Sequence, residues 1–230
     1  MEQDTPLLRF YGRRKGKIIR KGRADAYDVV MPEVGIALPA ENTIVDSSSF
    51  FSAPVREVWL EIGFGNGEQM VYQALDNPNI GIIGCEPFRN GIANLCRDIK
   101  EQGIKNIRIW PDDARLLMQR LKDNSIARCF LLNSDPWPKT RHHKRRFVQK
   151  ETLDELQRLL KPGAEFRMSS DHAALTCWQL EKTYFHGGFS WDAQDAENWR
   201  NRPTDMTGTR YQQKGAGHGR PTVFLNFRKR

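Results

Sequence analysis

The sequence predicts an α/β fold, a doubly wound and mostly parallel seven-stranded sheet, and two observations carry that expectation. Short apolar runs alternate along the chain with segments of helical periodicity, the pattern of βαβ units stacked on a parallel sheet. The first of those runs ends in a glycine-rich turn, Gly63-Phe64-Gly65-Asn66-Gly67, where an open sheet of this kind binds its ligand. In order, strands are expected at 58–62, 80–85, 107–110 and 126–132, with helices at 68–75 and 90–101 between them. A further helix follows from Leu153, Leu156, Leu159 and Leu160, spaced by three and four and stopped by Lys161-Pro162-Gly163. Next come a strand at 164–168, a helix through Leu175, Trp178 and Leu180 broken at Gly187-Gly188, and strands at 189–191 and 222–227. No repeat is visible at a fixed period.

The 230 residues fit one main domain with an extension. Residues 1–53 mix cations, prolines and a serine run without sustained periodicity and read as a basic arm and connector, so the domain proper is expected at 54–230. No uninterrupted apolar run approaches the roughly 18 residues that a membrane span needs. The opening Met1-Glu2-Gln3-Asp4-Thr5-Pro6 lacks the basic and apolar regions of a secretory signal, which points to the cytoplasm. Cys85, Cys96, Cys129 and Cys177 form no C-x-x-C pair, and they read as buried thiols.

Thirty-six Lys and Arg against 28 Asp and Glu leave a formal charge of +8, which favours a polyanionic partner. The cations cluster. Arg9, Arg13, Arg14, Lys15, Lys17, Arg20, Lys21 and Arg23 occur without an acid among them, and Lys139-Thr140-Arg141-His142-His143-Lys144-Arg145-Arg146 lies in mid-chain. With the basic run Arg228-Lys229-Arg230, they favour nucleic acid over a merely solvated face, though charge does not separate RNA from DNA.

Gly63, Gly65 and Gly67 follow the spacing G-x-G-x-G, not the G-x-G-x-x-G that seats a dinucleotide pyrophosphate. Glu61 stands two residues before the first glycine, where it would repel a pyrophosphate and suit a cation such as the sulfonium and ammonium groups of S-adenosylmethionine. Glu86, 19 residues past Gly67, closes the second strand and can accept from both hydroxyls of a ribose. After the third strand, Asp113 is placed either to recognise an adenine amine or to cap the helix that begins at Ala114. A nicotinamide-dependent oxidoreductase shares the strand-turn-helix and Glu86, but the glycine spacing and Glu61 argue against it.

The fourth strand runs into Asn133-Ser134-Asp135-Pro136-Trp137-Pro138-Lys139 and then into the second basic cluster. In a parallel sheet this loop lies beside the glycine turn, bringing a carboxylate, an aromatic ring and cations together as a base attached to phosphates requires. No metal is expected, because His142 and His143 are adjacent and surrounded by cations.

Asp135-Pro136-Trp137-Pro138-Lys139 with Arg141 to Arg146, together with Leu60 to Gly67, resembles the bacterial tRNA (guanine-N7)-methyltransferase family. Arg9-Phe10-Tyr11-Gly12-Arg13-Arg14, Asp171 and Thr209-Arg210-Tyr211-Gln212-Gln213-Lys214-Gly215 extend the resemblance over most of the chain. It implies a Rossmann-like class I fold and methyl transfer from S-adenosylmethionine to N7 of the guanine at position 46 in the tRNA variable loop. By the same resemblance Glu61, Glu86, Asp113 and Asp135 belong to the cofactor site, with Asp135 also at the catalytic centre. Lys139, Asp171, Thr209, Arg210, Tyr211 and Gln212 would contact the substrate, although Asp171 following Ser169-Ser170 could equally cap a helix. Two positions depart from the family pattern: Ser134, where proline is usual, and Gln212, where glutamate is. Those departures leave a non-catalytic RNA-binding module on the same fold as the alternative.

Overall fold

In a computed structural model that describes residues 11–208, 217 and 219–230, the apolar runs become β1 (Glu57–Ile62), β2 (Ile80–Cys85), β3 (Ile107–Trp110), β4 (Ile126–Leu132), β5 (Leu160–Ser170), β6 (Phe189–Trp191) and β7 (Val223–Lys229). The helices are α1 (Lys21–Val34), α2 (Glu68–Asp76), α3 (Arg89–Gln102), α4 (Ala114–Met118), α5 (Lys150–Leu159), α6 (Ala173–Phe185) and α7 (Glu197–Arg200). They build a seven-stranded sheet in the order β3-β2-β1-β4-β5-β7-β6, parallel from β3 to β5, with β7 antiparallel to both of its neighbours. The strand order reverses between β1 and β4, and their carboxyl ends open a crevice there. The doubly wound sheet expected from the sequence is the one the chain forms.

Alternate side chains on each strand feed two cores, as the two-residue period of a strand requires. Leu60, Ile83, Cys129 and Phe166 face α4 and α5 through Leu117, Leu153 and Leu156, all nearly inaccessible. Trp59, Ile82 and Phe130 face the opposite way, under Val30 of α1, Met70 of α2 and Leu95 of α3.

The structure departs from the sequence reading in three places, the first a thiol: Cys85, Cys96 and Cys129 are buried as expected, but Cys177 is exposed, because α6 buries Leu175, Gln179 and Thr183 and turns Cys177 outward. Helix α1 occupies part of the segment that had no sustained periodicity, because only Ala26, Val30 and Val34 are buried from it, a stripe one residue wide interrupted by Pro32. It lies on α3, where the Arg89 guanidinium sits 4.8 Å from the Tyr27 ring, and chain beyond it joins β3 through Ile36 N–H to the Ile109 carbonyl at 2.8 Å. Strand β5 begins at Leu160, so Lys161-Pro162-Gly163 is not a stop between helix and strand. The glycine takes φ +74° and the pairing with β4 shifts register between Ile126 and Arg128, absorbing the proline in a bulge.

A ring of alternating charge fixes the chain that follows α7. Asp205 accepts from Arg128 at 2.8 Å and from Arg167 at 2.7 Å, and both arginines also pair with the buried Glu165. Met206 is then buried in the second core, and Thr207 N–H donates to Gln69 of α2 at 3.0 Å.

Candidate active site

The crevice at the switch point is a cavity of about 800 Å³, within the range that holds a small-molecule ligand. Its floor is the glycine turn. Gly63, Gly65 and Gly67 have φ of +71°, +60° and +84°, a region that side chains avoid, so the turn tightens without strain only because these residues lack Cβ atoms. At Gly63 a Cβ would project into open space within the cavity wall, whereas at Gly67 it would meet Leu95 of α3.

Glu86, at the end of β2, braces this turn. One of its oxygens accepts from Gly65 N–H at 2.8 Å and the other from Phe88 N–H at 2.9 Å. A carboxylate has about four acceptor positions, so two remain for a ligand's hydroxyls. Burial pushes the carboxyl up, and the two N–H donors pull it back down.

Glu61 is different. It is 3% exposed, lines the cavity, and its carboxyl has no hydrogen bond or ion pair among the described residues. Burial, reinforced by Glu68 and Glu86, raises its carboxyl to about 8. A cavity lined by both an uncompensated buried carboxyl and the spare acceptor capacity of Glu86 fits a ligand carrying both a cation and a ribose.

Asp113 realises the capping alternative, since its side chain accepts from Arg115 N–H at 3.0 Å at the start of α4. Both of its oxygens also receive the Arg115 guanidinium, and the residue lines the cavity as well. Asp171 does not cap α6. It pairs with Arg220 at 3.2 Å, while Ser170 Oγ accepts from His172 N–H at the helix start.

The loop after β4 forms the cavity mouth. Asp135 is exposed there and has no hydrogen-bond or ion-pair partner among the described residues. Trp137 takes φ +41° between two prolines, an unfavourable conformation for a bulky residue and one that concentrates at ligand clamps. Arg145 lies 4.9 Å from the Trp137 ring and 4.6 Å from that of Tyr11, linking the basic arm to the mouth. Residues 11–13 line the cavity, and the strand of arm beyond them is pinned to α3 by Asn90, which accepts from Gly16 N–H at 2.9 Å and donates to the Lys17 carbonyl at 2.7 Å.

The second basic cluster divides. Lys139, Arg141 and Lys144 are exposed, Lys139 heading the 3₁₀ turn Thr140–Arg145 outside the cavity wall. Arg146, in contrast, is 2% exposed and donates to the carbonyls of Pro136 and Ala174 while lying over Trp178. It holds the loop from within while the other three are exposed, a division that a count of cations could not show.

Glu61, Gly63, Gly65, Glu86, Asp113 and Asp135 thus meet around one cavity, whereas Gly67 is outside its lining and against Leu95. Thr209, Arg210, Tyr211 and Gln212, like Arg9 and Phe10, lie outside the described residues. Gly91 was not anticipated: a Cβ at this position in the first turn of α3 would fall on the Gly65 carbonyl. Neither was Tyr11 as a wall residue, because nothing in the arm's composition says where it lies.

A family described as putative methyltransferases matches residues 55–225. The chain is similar to the tRNA (guanine-N(7)-)-methyltransferase of Rhodospirillum rubrum, at 42% identity over 100% of this chain and 91% of the relative. It is 43% identical to the protein of the same description from Ruegeria pomeroyi, over 98% and 96% of the two chains. Among solved structures it resembles precorrin-6y C5,15-methyltransferase from Geobacter metallireducens, with a TM-score of 0.54, 14% identity and coverage of 94% and 92%. It also resembles an antibiotic-related methyltransferase, with a TM-score of 0.52, 18% identity and coverage of 76% and 87%. At these identities the structural likeness concerns the fold.

Proposed function

The chain belongs to the bacterial tRNA (guanine-N7)-methyltransferase family, and on that premise we propose that it methylates N7 of guanine 46 in the tRNA variable loop, using S-adenosylmethionine, in the cytoplasm. The observation that carries the reading is the unpartnered Asp135 carboxylate at the mouth of a cavity that is also lined by the unpartnered Glu61 carboxyl. When bound, S-adenosylmethionine supplies an electrophilic methyl group. Glu61 would neutralise the ligand's positive charge, Glu86 would accept from its ribose, and Asp113 would border its adenine, with Gly63, Gly65 and Gly67 giving close backbone approach.

Guanine N7 has an in-plane lone pair and no proton, so the protein has to orient the base and has no need of a general base. Asp135 is placed to accept from guanine N1–H or the exocyclic amine and to offset the positive charge that grows on the purine. Residues 1–53 would be a basic arm towards the RNA and a connector that docks through α1 on the 54–230 domain, which transfers the methyl group. Lys139, Asp171 and the segment 209–212 would contact tRNA. Among the described residues no helix is long and apolar enough to cross a membrane, and none form a cluster that could hold a metal ion.

Purified protein incubated with unmodified tRNA and labelled S-adenosylmethionine is expected to leave 7-methylguanosine at position 46 on nucleotide mapping. Label at another guanine would move the site, and no label would return the chain to the class of RNA-binding modules. The divided basic cluster makes a second prediction. Replacing Arg141 and Lys144 with alanine should reduce the slope of log affinity against log salt by about one for each lost phosphate contact. Arg146→Ala should leave that slope in place and instead loosen the loop, as seen by protease sensitivity between 134 and 146. Equal slopes for all three variants and the wild type would sink the assignment of Arg141 and Lys144 to phosphates.

A further inference from the structure

Glu61 has a place in cofactor uptake beyond that of a negative wall. It lies on β1 opposite Phe130 of β4, where no donor or cation reaches it. From α2, Glu68 faces it with like charge, and from the end of β2, Glu86 does the same. Cys85 and Cys129 on the flanking strands are buried thiols raised by desolvation, so neither offers a counter-charge. The cations that share the cavity are engaged elsewhere: Arg115 with Asp113, and Arg145 over Trp137 and Tyr11. Arg13, Lys144 and Arg146 also line the cavity, but none of them forms an ion pair with Glu61. Asp135 stands at the exposed mouth and adds negative charge to Glu86.

The acids of this cavity are not equivalent. Glu86 accepts from two backbone N–H groups, and Asp113 accepts from the Arg115 guanidinium and from Arg115 N–H at a helix start. Glu61 has neither aid, so of these three it is the group for which an added proton costs no hydrogen bond and removes a buried charge. Resting on the reading of the cavity as an S-adenosylmethionine site, we propose that the free protein carries a proton on Glu61 and that binding of the cationic cofactor expels it to solvent. The step balances as a neutral carboxyl plus a ligand cation giving a carboxylate–cation pair plus a released proton. It stores the site in an uncharged form, and a ligand without a cation gains nothing from displacing that proton.

The sign of the pH dependence follows by linkage. With Glu61 raised to about 8 in the free protein, affinity should strengthen as pH rises towards that value and level off above it, because below it each binding event must remove a proton. The rise should approach tenfold per pH unit between about pH 6 and pH 8.

The test is titration calorimetry of S-adenosylmethionine into wild type and Glu61→Gln near pH 7, in phosphate and in Tris, whose ionisation heats differ. The dependence of the observed heat on buffer counts the protons exchanged, and the ligand's own amine contributes equally to both proteins and cancels in the comparison. Wild type should release approaching one proton more than Glu61→Gln, whose affinity should lack the rise between about pH 6 and pH 8. Glu68→Gln keeps Glu61 and serves if the first variant folds poorly: removing the like charge should move the affinity rise to lower pH. Equal proton counts for wild type and Glu61→Gln, or an unmoved rise in Glu68→Gln, would overturn the proposal. Wild type that binds no S-adenosylmethionine in any buffer would overturn the functional reading itself, an outcome distinct from binding without proton release.

Discussion

Asp135→Asn is expected to lower turnover on tRNA by about a hundredfold to a thousandfold, the range seen when one positioned electrostatic partner of a developing charge is lost. Asparagine keeps an acceptor and nearly the same volume, so the change isolates the charge. Asp135 is exposed and engages no described neighbour, so the folded state should lose little by the exchange. Single-turnover kinetics with saturating cofactor separate the chemical step from binding. If the rate stayed within a few-fold of wild type, Asp135 would not balance charge on guanine, and the catalytic assignment would fall to another group at the mouth.

Gly91→Ala should have the second largest effect although residue 91 faces no ligand. The added methyl would fall on the Gly65 carbonyl, and backbone on both sides leaves no flexible side chain to yield. Either the first turn of α3 or the glycine turn must shift. The glycine turn also hangs on Glu86 through Gly65 N–H, so its displacement disturbs two cofactor contacts together. A shift of about 1 Å at a positioned site can cost on the order of a hundredfold. We therefore expect S-adenosylmethionine affinity in calorimetry to fall by at least roughly tenfold, with a lower melting temperature. Gly22→Ala is the control, since a Cβ there meets nothing within 4 Å. Unchanged affinity in Gly91→Ala would show that the turn can adjust and that its geometry is less constrained than the contacts imply.

The centre of the sheet was legible because β1, β2 and β4 are mostly apolar runs, buried on both faces. Helices α2 and α3 were legible for a related reason, their apolar positions recurring every three or four residues beneath one core. Helix α1 was not, because three small or β-branched contacts make too thin a stripe and a proline interrupts it. Site acids at strand ends could be found from spacing alone, since the end of each strand fixes where Glu61, Glu86 and Asp113 must stand. Their relations could not. That Asp113 is tied to Arg115, that Glu61 is left alone, and that Arg146 is spent on Pro136 and Ala174 all depend on contacts across the sheet. Gly91 illustrates the same limit: a glycine in a helix looks merely permissive until the facing backbone is seen.

The antiparallel strand β7, seated between β5 and β6, has a consequence for how the molecule comes into being. Strand β6 hydrogen-bonds to β7 alone, yet it precedes β7 in the chain and so leaves the ribosome first. Until β7 arrives, β5 and β6 each present an unpaired edge, with Phe166 and Phe189 uncovered between them. The strands that carry Glu61, Glu86 and Asp135 are all made earlier, so a nascent chain can hold most of its catalytic groups while its sheet is still open. Newly made protein should therefore depend on chaperone protection most during that interval, and truncation before Val223 should yield aggregates, not a smaller enzyme.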